Sequence, residues 1–279
     1  MLTVVPMTPT IGAEVIDVDL ADDLDDKVVR AIEDALIDWK VLFFRGQEIS
    51  RQQHVAFAAR FGQLEVHPFT GHHEGVPELM VLSHGDEPPV EGAYAENIWH
   101  SDVSWREIPS KASVLRAVEV PELGGDTLWA DMYAVYEGLS PALRSFVDGL
   151  TAVHDFVPAF APFIAQEKLV EMRAKFPVVH HPVVRVHPVT GRRLLYVNGS
   201  FTTRILGMSL NQSDALLRLL YEQTAMPEYH CRFHWQPNSI AMWDNRCTQH
   251  YATQNYWPQR RVMERATIIG DRPLGVAAG

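Results

Sequence analysis

The sequence predicts a mostly β protein, a jelly roll or barrel with helical cover, on two observations. Short β-branched and apolar runs, separated by Pro and Gly, recur along the chain. Helical periodicity appears only in scattered places, without the regular β-then-helix alternation of a doubly wound sheet.

Leu24, Val28, Ile32, Ala35 and Trp39 recur at helical spacing behind a run of aspartates, so Leu24–Trp39 reads as an amphipathic helix. Val41–Phe44 follows as a short buried strand. Ser50 caps a second helix that stops at Gly62. Leu79–Leu82, Ser113–Val118, Thr127–Ala130, Val183–His187 and Leu194–Val197 read as strands, broken by turns such as Pro121–Gly125 and Pro188–Gly191. Ser209 with Gln212 forms a capping box that opens a helix through Tyr221. Tyr229–Trp235, Ile240–Trp243 and Val262–Ile269 complete the strands. There is no internal repeat, low-complexity stretch or composition break, so residues 1–279 read as one catalytic domain.

Composition narrows the function. A 47% hydrophobic content and a mean hydropathy of −0.09 are those of a soluble enzyme. No run approaches the roughly 20 apolar residues of a membrane span. Met1–Gly12 lacks the basic and apolar regions of a signal peptide. Two cysteines, Cys231 and Cys247, suit a reducing compartment, so a cytoplasmic protein with no membrane partner is expected. The net charge of −11 disfavours nucleic acid, though buried arginines can still hold a small anion.

His100-Ser101-Asp102 carries the first chemical signal. On an extended chain residues i and i+2 face the same way, so an imidazole and a carboxylate can meet one metal. Non-haem iron(II) oxygenases use two histidines and one carboxylate, with open positions for co-substrate and oxygen. The best second histidine is His250, far downstream. The short motif alone leaves a structural role open. It recurs as His84-Gly85-Asp86, a copy that Gly85 and the following prolines place in a turn. His72-His73 and His180-His181 are adjacent pairs that point to opposite faces, His230 and His234 read as structural or exposed, and Cys247 reads as a core residue.

The chain's end adds weight. A strand at Arg261–Thr267 puts Arg261, Met263, Arg265 and Thr267 on one face, the two arginines about 13 Å apart at roughly 3.3 Å per residue. Buried guanidinium groups need anions, and their forks suit carboxylates, sulfonates and sulfates.

At these residues the sequence resembles the taurine dioxygenase family of iron(II)/2-oxoglutarate enzymes. The resemblance runs through Phe43–Gln47, Trp99–Val103, Gly124–Trp129, His154–Phe156, His181–Arg185, Val197-Asn198, Phe201–Arg204, the His250 stretch and Gln259–Gly270. It implies a double-stranded β-helix core, Fe(II) held by His100, Asp102 and His250, and 2-oxoglutarate and O2 as co-substrates. It assigns the far carboxylate of 2-oxoglutarate to Thr127 and Arg261. It assigns the substrate's acidic head to His67 and Arg265, aromatic walls to Phe160 and Phe201, and its other end to the neighbourhood of Asn97. It further implies a homodimer or homotetramer, and hydroxylation of a small anionic substrate with release of succinate and CO2.

Two departures bear on the substrate. Thr70 stands where the taurine enzymes carry tyrosine, and Glu264 where they usually carry histidine, which points away from taurine itself and toward another sulfonate or an alkyl sulfate. An aryloxy or amino carboxylic acid is the alternative substrate class. A zinc hydrolase on the same triad, or a silent anion-binding jelly roll, are the rival functions; the hydrolase leaves Thr127 and Arg261 without a task, and the silent protein would bind anions without forming succinate.

Overall fold

Asp25 opens the first helix, its carboxylate accepting hydrogen bonds from the amides of Lys27 and Val28, so that Asp26–Trp39 begins two residues after Leu24. The helix ends at Lys40, in the left-handed region (φ 65°), with its backbone N–H donating to the Leu36 carbonyl. The ammonium donates to the Thr10 carbonyl at 2.6 Å and pairs with Asp131 at 3.5 Å. The chain can therefore turn straight into the strand Val41–Phe44. Ser50 and Gln53 form a reciprocal capping box at the start of Arg51–Ala59. The computed structural model describes residues 2–68, 72–85 and 97–277.

Both helices lie on one face of an eight-stranded sheet. Its order is Thr3–Pro6, Ala13–Ile16, Val41–Phe44, Ile240–Asp244, Ser110–Glu119, Arg261–Ile269, Val76–His84, His72–His73. All pairings are antiparallel except that of Ala13–Ile16 with Val41–Phe44. Strand alternation divides the residues. Leu42, Phe44, Val114, Ala266 and Ile268 pack beneath Ile32, Leu36 and Phe57 of the helices. Phe43, Leu115, Trp243 and Met263 point the other way and meet Trp129 and Phe233. Those two belong to a three-stranded antiparallel sheet of His230–Phe233, Thr127–Asp131 and Thr248–Ala252. Phe43 stacks on Phe233 at 4.1 Å, and truncating a buried aromatic of this kind typically costs about 3–5 kcal/mol. The two sheets thus face each other across an aromatic layer, and the functional residues sit at its edge.

Two further three-stranded sheets and the helix Leu210–Thr224 build a second core around Val135, Val184, Leu195 and Leu217. The architecture is mostly β with helices, as expected. Several short elements were not: the strands Thr3–Pro6 and Ala13–Ile16, and the helices Met132–Glu137, Pro141–Val147, Val157–Phe160 and Gln166–Lys175. The stretch Val183–His187 forms a strand only over Val184–Val186. Among the described residues, no helix is long and apolar enough to cross a membrane.

Buried histidines, His54 and His181 among them, should make the fold acid-sensitive. Burial pushes the pKa of His54 down to about 4, although its Nε2 donates to the Val114 carbonyl at 3.0 Å. Burial likewise pushes His181 down to about 4. Once unfolded, both titrate near the ordinary 6.5. The unfolded chain therefore binds more protons between those values, and their contribution is complete above about 6.5 and lost as pH falls toward 4. Melting temperature should drop by several degrees between pH 7 and pH 5, and less steeply in His54→Gln; parallel profiles would show that His54 is not a source.

Candidate active site

His100 and His250 face each other across a two-bond antiparallel bridge. His100 N donates to the His250 carbonyl at 3.1 Å, and His250 N to that of His100 at 2.8 Å. The neighbouring Ser101 hydroxyl ties the segment to the Thr248 carbonyl at 2.7 Å. Extended structure stops there. Residues 102–105 turn, and Val103 adopts φ 47°, a strained conformation for a β-branched residue, inside an apolar cluster with Trp105, Phe156 and Phe201. Asp102 stands at the start of that turn, with a carboxylate oxygen within 4.8 Å of a His100 ring nitrogen.

The three side chains are almost wholly buried, and one ligand atom from each lies within 4.8 Å of the others. His100 Nδ1 donates to the Ile98 carbonyl at 2.7 Å, which leaves Nε2 as the ring's electron-pair donor. Two imidazoles and one carboxylate beside an open cleft are a donor set suited to non-haem iron(II).

Asp102 is fixed by a chain of bonds with only one consistent polarity. Asn245 Oδ1 accepts from the indole of Trp243 at 2.9 Å and from the Asp102 amide at 3.2 Å. Asn245 Nδ2 consequently donates to Ser113 Oγ at 2.8 Å, and Ser113 donates its proton to Asp102 Oδ2 at 2.8 Å. The other oxygen, Oδ1, accepts from Arg265 Nη1 at 2.5 Å and lies 3.9 Å from His250 Nε2. Burial alone would raise the pKa of this carboxyl. Arg265, His250, His100 and the Ser113 hydroxyl outweigh it and hold the group ionised, well below the usual carboxylate range. Nothing in the sequence marks Ser113 or Asn245 as site residues, because only strand register shows what each touches.

Arg261 and Arg265 share the inner face of Arg261–Ile269, as their spacing requires, and both line one cleft with His100, Asp102 and His250. Arg261 is 2% exposed. Its Nε donates to the Gly125 carbonyl at 3.2 Å and its Nη2 lies 3.5 Å from Thr127 Oγ1. The turn before Thr127 is made by Gly124 (φ 82°) and Gly125 (φ 67°), and a Cβ at Gly124 would meet the Asn255 carbonyl oxygen at 2.7 Å.

His67, Thr127, Phe160 and Phe201 line the same cleft; Asn97, half-buried, does not. Phe160 and Phe201 stack at 6.2 Å, and His67 lies 6.2 Å from Phe160. Burial, with Arg265 and Arg106 nearby, pushes His67 down to about 3, which favours its neutral imidazole. Thr70 and Asp86 lie outside the described residues. Glu264 points to the opposite face, 2.7 Å from both Arg51 and His73 and 3.7 Å from Arg116.

A second cluster, His187, Asp244 and Cys247, is buried behind the site. It is already satisfied without a metal: His187 Nδ1 accepts from the amides of Val189 and Thr190, its Nε2 donates to Asp244, and Arg246 grips that carboxylate at 2.9 and 2.7 Å.

With this geometry in view, the relatives are informative. The alpha-ketoglutarate-dependent sulfate ester dioxygenase of Pseudomonas putida is 40% identical over 285 residues, covering 99% of this chain and 92% of the relative. The alkylsulfatase of Acinetobacter baylyi is 37% identical over 277 residues, covering 96% and 85%. A crystal structure of a taurine dioxygenase from Burkholderia xenovorans superposes with a TM-score of 0.84 at 40% identity, covering 98% of this chain and 93% of that one. The family model for the taurine catabolism dioxygenases matches residues 3–267, the stretch that holds every residue of the cleft. The chain belongs to the TauD, TfdA family of taurine catabolism dioxygenases and is an alpha-ketoglutarate (2-oxoglutarate)-dependent dioxygenase.

Proposed function

We propose that this enzyme uses iron(II) held by His100, Asp102 and His250 to hydroxylate the carbon that bears the sulfur group of an alkyl sulfate, or of a related alkyl sulfonate. The observation that carries the reading is the convergence of three metal donors with two buried arginines on one cleft. The facing antiparallel sheets support a double-stranded β-helix as the frame, within one catalytic domain spanning residues 1–279.

Arg261 and the Thr127 hydroxyl are read as the holders of the far carboxylate of 2-oxoglutarate. Arg265, aided by a hydrogen bond from neutral His67, takes the sulfate. Phe160 and Phe201 receive the alkyl tail and, with Trp105 and Val103, keep water away from the reacting carbon. When bound, the iron with 2-oxoglutarate and dioxygen supplies the oxidising equivalents and the oxygen atom. Replacing C–H by C–OH beside the ester oxygen yields a group that collapses: the hydroxyl proton leaves, the C–O bond to sulfate breaks, and an aldehyde and sulfate separate. Succinate and CO2 account for the other oxygen atom and the electrons.

The lining argues against an aminoalkyl substrate. Among the described residues, Asp102 is the sole carboxylate on the cleft, and it is engaged by Arg265, so an ammonium group has no counter-charge there. Hexyl sulfate and pentanesulfonate should exceed taurine in kcat/KM by at least tenfold, measured as succinate formed. A tenfold preference for taurine would overturn the alkyl reading, and turnover of aryloxyacetates alone would move the substrate to the carboxylates.

Arg261→Gln should weaken 2-oxoglutarate by tenfold or more, given about 1.5–3 kcal/mol for a hydrogen bond to a charged group. Equilibrium binding to the metal-loaded protein checks this, and unchanged affinity would remove Arg261 as the anchor.

A further inference from the structure

Thr127 Oγ1 accepts a hydrogen bond from the indole Nε1 of Trp235 at 2.9 Å, in addition to lying 3.5 Å from Arg261 Nη2. Indole and guanidinium nitrogens only donate, so both contacts draw on the lone pairs of one hydroxyl oxygen. What the hydroxyl has left is its proton. A threonine hydroxyl ordinarily rotates between donor and acceptor roles; here the acceptor capacity is occupied and the proton is directed at the cleft that Thr127 lines. A fixed O–H donor beside a guanidinium is matched to an anion and mismatched to a cation or another donor.

Trp235 itself does not line the cleft. It is 2% exposed and sits two residues past the strand His230–Phe233, edge-on to Phe233 at 5.1 Å and tilted to Trp129 at 6.3 Å. The aromatic layer between the sheets therefore aims the indole N–H, and rotation of Trp235 away would require repacking of that layer.

We propose that Trp235 is a positioning residue for the co-substrate: by donating to Thr127 Oγ1 it fixes that hydroxyl as a donor to the far carboxylate of 2-oxoglutarate. This rests on the reading of Thr127 and Arg261 as the anchor of that carboxylate, and the test separates the two. The manganese(II)-loaded protein is titrated calorimetrically with 2-oxoglutarate and with 2-oxopentanoate, which has the same keto-acid head and no far carboxylate. Trp235→Phe should weaken 2-oxoglutarate roughly fivefold, in the range of a neutral hydrogen bond, and leave 2-oxopentanoate unchanged. Thr127→Val should weaken 2-oxoglutarate roughly tenfold, and adding Trp235→Phe to it should cost nothing more, because the indole acts only through the hydroxyl. Should Trp235→Phe perturb folding, benzothienylalanine at position 235, with sulfur in place of the N–H, repeats the test at constant volume. Equal losses for both keto acids, no loss for either, or additive losses in the double variant would overturn the proposal. Unchanged 2-oxoglutarate affinity in Thr127→Val would instead overturn the anchor, and the proposal with it.

Discussion

Asp102→Ala and His250→Ala are each expected to abolish substrate oxidation, and to differ in stability. On the proposed triad, loss of either side chain removes one of three metal donors. The difference lies in what each leaves behind. Asp102 neutralises Arg265 at 2.5 Å, with both side chains at most 10% exposed, so its removal strands a buried guanidinium. Breaking such a pair costs about 3 kcal/mol or more, which corresponds to roughly 5–10 °C in melting temperature for a chain of this size. His250→Ala strands no charge and should melt closer to the native protein. Succinate formation and thermal unfolding of the two variants measure both effects. Wild-type turnover in either would remove the triad assignment, and equal melting temperatures would show that Arg265 finds another partner when Asp102 is gone.

Arg265→Ala should lower kcat/KM on every anionic substrate alike, by about 2–5 kcal/mol, the usual cost of truncating one member of a buried charge pair. Uniformity is the diagnostic feature, because the guanidinium reads the anion that all the substrates share and not the tail that distinguishes them. A second effect follows from its bond to Asp102 Oδ1. A fixed cation on a ligand oxygen opposes a metal cation, so the variant should bind manganese(II) or zinc(II) more tightly even as it turns over more slowly. Competition against a chelator reports this independently of activity. A loss confined to one substrate would show that Arg265 recognises shape, and weaker metal binding would show that it orders Asp102 more than it opposes the metal.

The sequence was most informative where side-chain identity and strand alternation together dictate position. Arg261 and Arg265 fall on the inner face of their strand because an even spacing admits nothing else, and Ala266 and Ile268 fall on the helix-covered face for the same reason. Ser50 and Ser209 start their helices through local capping boxes, which need no tertiary information. Val103 turns the chain in the left-handed region immediately after the His100/Asp102 pair. The motif still brings the two residues together, because the Ser113–Asn245 network holds the carboxylate in place. That network was hidden because its members are 132 residues apart and meet only through sheet register. The burial that lowers the His67 pKa is a tertiary property, so sequence alone assigns His67 to the acidic head without fixing its charge. The short helices around Phe160 stayed invisible because a single turn has too few residues to show a period.

An iron held by His100, Asp102 and His250 would keep positions open for chelation by 2-oxoglutarate. The most direct test is the visible absorption of the protein under nitrogen as iron(II) and then 2-oxoglutarate are added. A weak charge-transfer band should appear with both together and with neither alone, and should be absent from the Asp102→Ala/His250→Ala double variant. No band in the native protein, or the same band in the double variant, would contradict the account.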